Sequence, residues 1–175
     1  MKYLFFTFFC ISMSFAQSSQ YGLDKLGKNP VTFIDSVKVN RSEILTFDSN
    51  RITLMSVYDP GEATSLIGED GKDGAIYIET KDFARKRFLR YFKSKSTEFS
   101  GLLESKGNDS TFQYIHNGKV LTNNFEGDLA LIDDKVFKTI NIITKKELSS
   151  QYNITDKDYG VIIASNAPED SSKKE

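Results

Sequence analysis

The chain has 175 residues, and its 23 Lys and Arg nearly balance 24 Asp and Glu, leaving a net charge of −1. Apolar content is ordinary for a globular protein, Phe and Tyr are plentiful and Trp is absent. The one cysteine, Cys10, lies near the start, so residues 17–175 hold neither disulfides nor thiolate metal ligands and must rely on a packed core.

The chain opens with Lys2 ahead of an apolar run of about ten residues and ends that segment in Ser14-Phe15-Ala16, the pattern of a secretory signal peptide cleaved after Ala16. A transmembrane anchor would need roughly 20 apolar residues, which this run does not supply. Phe8-Phe9 are too bulky to precede a lipidated Cys10. Residues 17–29 read as a leader with at most a short helical turn.

Two segments, 30–81 and 112–166, then carry the same order of signals, which points to an internal duplication. Each begins with a short alternating strand, Val31-Thr32-Phe33-Ile34-Asp35 or Phe112-Gln113-Tyr114-Ile115-His116. A polar turn and a Lys-Val pair follow, Lys38-Val39 or Lys119-Val120. A stretch with helical spacing comes next, 43–47 or 125–132. The strands 52–58 and 136–143 follow, and each leads into a short helical piece, 61–67 or 145–152. Each unit closes on a Gly/Asp-rich turn that enters an apolar strand, Ala75-Ile76-Tyr77-Ile78 or Val161-Ile162-Ile163-Ala164. Both units are therefore expected to be β-α-β-α-β, each able to bury one sheet face only.

Between them, residues 82–111 begin with Ala84, Phe88 and Phe92 at helical spacing and predict an amphipathic helix with Asp82 as N-cap. Residues 81–95 hold seven basic side chains and one acidic one, a local charge of +6, while the rest of residues 17–175 sums to −8. Two readings follow. The basic face, with Arg85, Arg87, Arg90 and Tyr91, meets an anionic lipid, lipopolysaccharide, peptidoglycan or an acidic protein surface. Alternatively, these charges line the solvated side of a core helix and neutralise an acidic body, the commoner use of such a helix. Residues 167–175 are polar and aperiodic and read as a disordered tail.

Catalytic chemistry has little to work with. His116 is the single histidine, so no site of several imidazoles can form, Cys-His catalysis is excluded, and any Ser-His-Asp arrangement must use His116. No serine stands in a Gly-x-Ser-x-Gly elbow. The loop 68–74 lacks the Gly-Lys-Ser/Thr ending of a phosphate loop and the ligand order of an EF-hand, and reads as a tight turn into a strand. Asp133-Asp134 and Asp156/Asp158 read as solvated turn residues, and the Asn-x-Ser/Thr triplets at Asn40, Asn108 and Asn153 as chance. No metal or cofactor is expected, and the chain is not expected to be an enzyme.

The first unit resembles the plug domain of TonB-dependent outer-membrane receptors in the form found in SusC-like transporters. The residues that carry the likeness are Pro30, Phe33-Ile34-Asp35, Leu54-Met55-Ser56-Val57, Ala63-Thr64-Ser65-Leu66-Ile67-Gly68, Gly71-Lys72-Asp73-Gly74 and Ala75-Ile76-Tyr77-Ile78-Glu79-Thr80-Lys81. Ser36 stands where that pattern has glycine, Ile67 where it has tyrosine and Asp73 where it has asparagine. The second unit matches more weakly, through Tyr114-Ile115-His116-Asn117-Gly118 and Tyr159-Gly160-Val161-Ile162-Ile163. The resemblance implies an α+β fold of two tandem plug-like units, without the receptor's barrel, joined by a basic amphipathic helix. The expected function is that of a non-catalytic exported protein of the periplasm or outer membrane, an accessory subunit that docks on an envelope protein such as a β-barrel complex. The alternative is a binding module for an anionic glycan or lipid through Arg85, Arg87, Arg90 and Tyr91, with contact to a membrane surface. Nucleic acid is not an expected partner of an exported chain.

Overall fold

The computed structural model describes residues 23–166. The signal peptide, the first part of the leader and the tail expected from the sequence lie outside the described residues. The fold is α+β, with two four-stranded sheets. Contacts divide the chain into two compact units, one of residues 23–45 with Met55–Tyr77 and the other of Thr46–Leu54 with residues 78–166.

The first sheet contains β1 (Val31–Ile34), β2 (Val37–Val39), β3 (Ile52–Tyr58) and β4 (Ala75–Thr80), in the order β2-β1-β4-β3. The helices between them are α1 (Arg41–Thr46) and α2 (Pro60–Ile67). Strands β1 and β2 form an antiparallel hairpin, so the Lys38-Val39 pair that follows the polar turn belongs to a strand. Both turn residues have positive φ, Asp35 at 51° and Ser36 at 70°. That is the twist a two-residue hairpin turn needs, and it usually selects Asn-Gly or Asp-Gly.

Helix α2 starts where the chain provides every start signal at once. Asp59 accepts from the Glu62 backbone N–H, the Glu62 carboxylate accepts from the Asp59 N–H, and Pro60 takes a position whose missing N–H costs nothing. The glycine-rich loop after it is a 3-10 turn, Gly68–Gly71, as the tight-turn reading expects. At Gly71 an added Cβ would lie 2.4 Å from the Ala63 carbonyl carbon, so only glycine allows this loop to close on α2. The core of this unit is thin, with Val31, Ala63 and Ala75 buried and Phe33 and Tyr58 packed on them.

The second sheet repeats the arrangement with β5 (Phe112–His116), β6 (Lys119–Val120), β7 (Phe137–Thr144) and β8 (Tyr159–Ser165), in the order β6-β5-β8-β7. Strand β5 runs parallel to β8, while β6 and β7 pair antiparallel with β5 and β8. Each sheet with its helices is thus β-β-α-β-α-β rather than β-α-β-α-β, while the compact units divide within β3 and β4. The strands the sequence did not show are the three-residue β2 and the two-residue β6, too short for an alternating pattern. Helices α5 (Glu126–Ala130) and α6 (Lys145–Tyr152) fill the same places as α1 and α2. Here the hairpin turn is Asn117-Gly118, with φ of 48° and 81°.

The segment 82–111 is not a simple connector. It folds into α3 (Lys81–Lys95) and α4 (Thr97–Lys106), and both supply the core of the second unit. The N-cap of α3 is Thr80, whose hydroxyl accepts from the Phe83 N–H, not Asp82, which lies within the first turn. Ala84, Phe88 and Phe92 are buried as their spacing predicts, against Phe99, Phe112, Tyr114, Leu129, Val161 and Ile163. Phe88 meets Tyr114 edge-on at 5.4 Å between ring centroids, and Phe92 meets Phe99 edge-on at 6.3 Å. Ser96 separates the helices: its extended backbone ends α3, and its hydroxyl accepts from the Phe99 N–H to begin α4.

Candidate binding site

The four residues singled out on the basic helix do not form one surface. Arg85 turns toward two acids: its guanidinium donates to Asp109 at 2.8 Å and to Glu126 at 3.0 Å. Its planar group also lies over the Phe125 ring, 5.5 Å from the centroid. Arg87 faces buried Glu79 as an ion pair at 3.0 Å, with Arg87 Nε left without a hydrogen bond. The Tyr91 hydroxyl donates to Asp134 at 2.9 Å while its ring meets Phe137 edge-on. Of the four only Arg90 is exposed, and it has no ion-pair partner among the described residues.

Other charges of α3 are also engaged. Lys93 pairs with Glu104 and Lys95 with Asp134. Four of the seven basic side chains in 81–95 therefore pair with acids of their own unit. The helix uses its charge mainly to neutralise nearby carboxylates, as the second sequence reading has it.

Arg85 marks a cleft of about 290 Å³ within the second unit. The residues that form it come from distant stretches of chain. Asp109 sits in the loop after α4, where the Asn108 carboxamide accepts from the Ser110 N–H and shapes the turn. Tyr114 lies on β5 with its side chain in the core, and Glu126, which opens α5, meets Arg85 without lining the cleft. The Tyr114 hydroxyl donates to the same Asp109 oxygen, Oδ2, that accepts from Arg85, at 2.8 Å. Phe112, Phe125 and the half-exposed Lys157 complete the principal lining, and Lys157 donates to the Ser110 carbonyl at 2.8 Å.

Electrostatics follow from this geometry. Burial works against the charge of Arg85, but hydrogen bonds to Glu126 and Asp109 and the charges of both acids outweigh it and hold the guanidinium pKa above its ordinary value. Burial pushes the Tyr114 phenol far up, and the adjacent Asp109 charge adds to the shift, so Tyr114 is a hydrogen-bond donor at every physiological pH. Glu126 Oε2 is buried and lacks a hydrogen-bond partner.

The sequence reading missed Asp109, Glu126 and Tyr114 as a group. Asp109 is 24 residues from Arg85 and Glu126 is 41 away, and no local spacing signals either contact. The triplet Asn108-Asp109-Ser110 drew notice only as a glycosylation pattern.

His116 lies at the end of β5, with Nε2 2.8 Å from Ser165 Oγ on β8. Burial lowers its pKa, against the charge of Asp128. Among the described residues no group of three or more His, Cys, Asp and Glu could hold a metal ion. Among the same residues no helix is long and apolar enough to cross a membrane.

The first unit has a different kind of surface. An apolar recess of about 130 Å³ is lined by Phe33, Tyr58, Leu66, Ile67 and Tyr77 with the small Ala63 and Ala75. Around this unit large apolar side chains stand in solvent, with Leu66 at 66 % and Val37 at 64 % of full exposure. No protein-family model matches the chain, and no curated protein or solved structure matches it either.

Proposed function

We propose that the chain is a non-catalytic, exported protein of the periplasm or outer membrane, an accessory subunit that docks on an envelope protein through its first unit. The observation that carries this reading is the recess between Phe33, Tyr58, Leu66, Ile67 and Tyr77, over a small buried cluster of Val31, Ala63 and Ala75. A unit this small buries little apolar surface by itself and gains from covering an open apolar face. The signal-like first sixteen residues direct it to the envelope, and the likeness of residues 30–81 to a receptor plug suggests a β-barrel complex as the partner. Fold likeness alone does not carry a receptor's transport function.

The basic helix is the weaker candidate for an anionic glycan or lipid. Arg85 and Arg87 are held by Asp109, Glu126 and Glu79, so recruiting them for an external anion would strip buried carboxylates of their counter-ions.

Affinity purification of a C-terminally tagged chain from its native envelope, after in-cell crosslinking, tests the proposal. It predicts a stoichiometric envelope protein crosslinked to the first unit, and a tagged chain that begins at Gln17. Recovery of the free chain alone, or of a chain that keeps residues 1–16 in the cytoplasm, would contradict it.

A further inference from the structure

We infer that the recess of the first unit receives a basic segment of a protein partner, in which one large apolar side chain is flanked by Lys or Arg. The inference rests on the docking reading and adds the chemistry of what docks.

Size sets the first limit. At about 130 Å³ the recess is well below small-molecule sites, which run from roughly 300 Å³ upward, and it suits one inserted side chain. Phe33, Tyr58 and Tyr77 supply rings to its lining and Leu66 and Ile67 supply aliphatic groups, so the side chain that fills it is apolar.

The charge beside the recess sets the second limit. Residues 59–73, which include Leu66 and Ile67, hold Asp59, Glu62, Glu69, Asp70 and Asp73 against Lys72 alone, a formal charge of −4. Glu62 lies four residues before Leu66 on α2, so the two share a helix face. Glu69 and Asp70 stand exposed in the 3-10 turn that follows Ile67. Lys38 pairs with Asp70 at 2.7 Å, but neither Glu62 nor Glu69 has an ion-pair partner among the described residues. An acidic border of this kind repels an anionic lipid surface at the place where Leu66 would have to insert. It also opposes an acidic peptide, because like charges brought together at a contact cost affinity. A Lys or Arg beside the apolar anchor answers both features: its charge meets Glu62 or Glu69, and its methylene stem covers part of exposed Leu66.

Two capped peptides test this against the full chain, labelled with nitrogen-15 and followed by NMR. One is acetyl-Gly-Lys-Phe-Leu-Lys-Gly-amide, and the other has Glu in place of both Lys. The expected result is saturable shifts at Leu66, Ile67 and Tyr77, with the basic peptide bound at least about fivefold more tightly than the acidic one. Raising the salt from about 0.05 M to about 0.5 M should narrow that gap, and Glu69→Lys, a change at an exposed turn position, should remove most of it. Absence of saturable shifts, or equal or tighter binding of the acidic peptide, would overturn the inference. So would movement of the same resonances on dilution of the chain alone, which would assign the recess to a second copy, or on addition of phosphatidylglycerol vesicles, which would assign it to a lipid surface. The docking reading is judged separately, by crosslinking from position 66 in cells. A partner crosslinked there through an acidic or uncharged segment would leave docking in place and overturn the basic chemistry.

Discussion

His116 gives a pH dependence of stability that one residue can carry, because it is the sole histidine. Burial depresses its pKa in the folded chain, so folding favours the neutral ring that bonds Ser165. A depressed folded pKa contributes stability that is complete above the unfolded value, about 6.5, and is lost as pH falls through the folded value. Denaturant titrations at pH 7.5 and 5.5 should show the wild-type chain less stable at the lower pH, with His116→Gln removing much of that difference. An unchanged difference would place its source elsewhere. The two hairpin turns give a second residue-scale prediction. Gly118 has φ of 81° with nothing within 4 Å of an added Cβ, so Gly118→Ala is strained by backbone alone and should cost about 1 kcal/mol in a denaturant melt. In the first unit the corresponding Ser36 occupies the same left-handed region, and its hydroxyl lies 2.6 Å from Tyr77 Oη. That hydrogen bond offsets part of the backbone strain.

At the scale of elements, the sequence reveals what a local period can encode. Strands β3 and β5 and helix α6 occupy the ranges their patterns predict, because each is long enough to show its period or carries its own start signal. Thr144 and Glu147 form a capping box at the head of α6, so the sequence alone marks where it begins. Helix α4 escaped notice because Phe99, Leu102 and Leu103 stand among Ser, Thr and Gly, whose helix propensities are weak. Its start depends on Ser96, which ends one helix and caps the next. Ser96→Ala should destabilise the chain by about 1 kcal/mol, with hydrogen exchange accelerating first at the head of α4. Equal exchange rates in variant and parent would show that packing of Phe99, not the cap, positions that helix. The Arg85 site was illegible for the opposite reason. Its acids come from a loop and from another helix, and only tertiary packing places them around the guanidinium.

At the scale of the whole molecule, the chain forms two four-stranded sheets with the same strand order. The two differ in how they are stabilised. The second surrounds its sheet with α3 and α4 and an aromatic core that includes Phe88, Phe92, Phe99 and Tyr114. Among the described residues the first has no such helices, and it leaves Val37, Leu45 and Leu66 in solvent. This asymmetry is what the proposed docking through the first unit draws on. The strongly basic character of 81–95, the most conspicuous feature of the sequence, serves chiefly to pair with Glu79, Glu104, Asp109, Glu126 and Asp134.

The most direct measurement is site-specific photocrosslinking in living cells, with a photoreactive amino acid placed at Leu66 in one strain and at Arg90 in another. Both positions are exposed, so the substitution itself perturbs neither core. The account predicts one discrete crosslinked envelope protein from position 66 and none from position 90. A crosslink from position 90 with none from position 66 would contradict it and make the basic helix the docking surface.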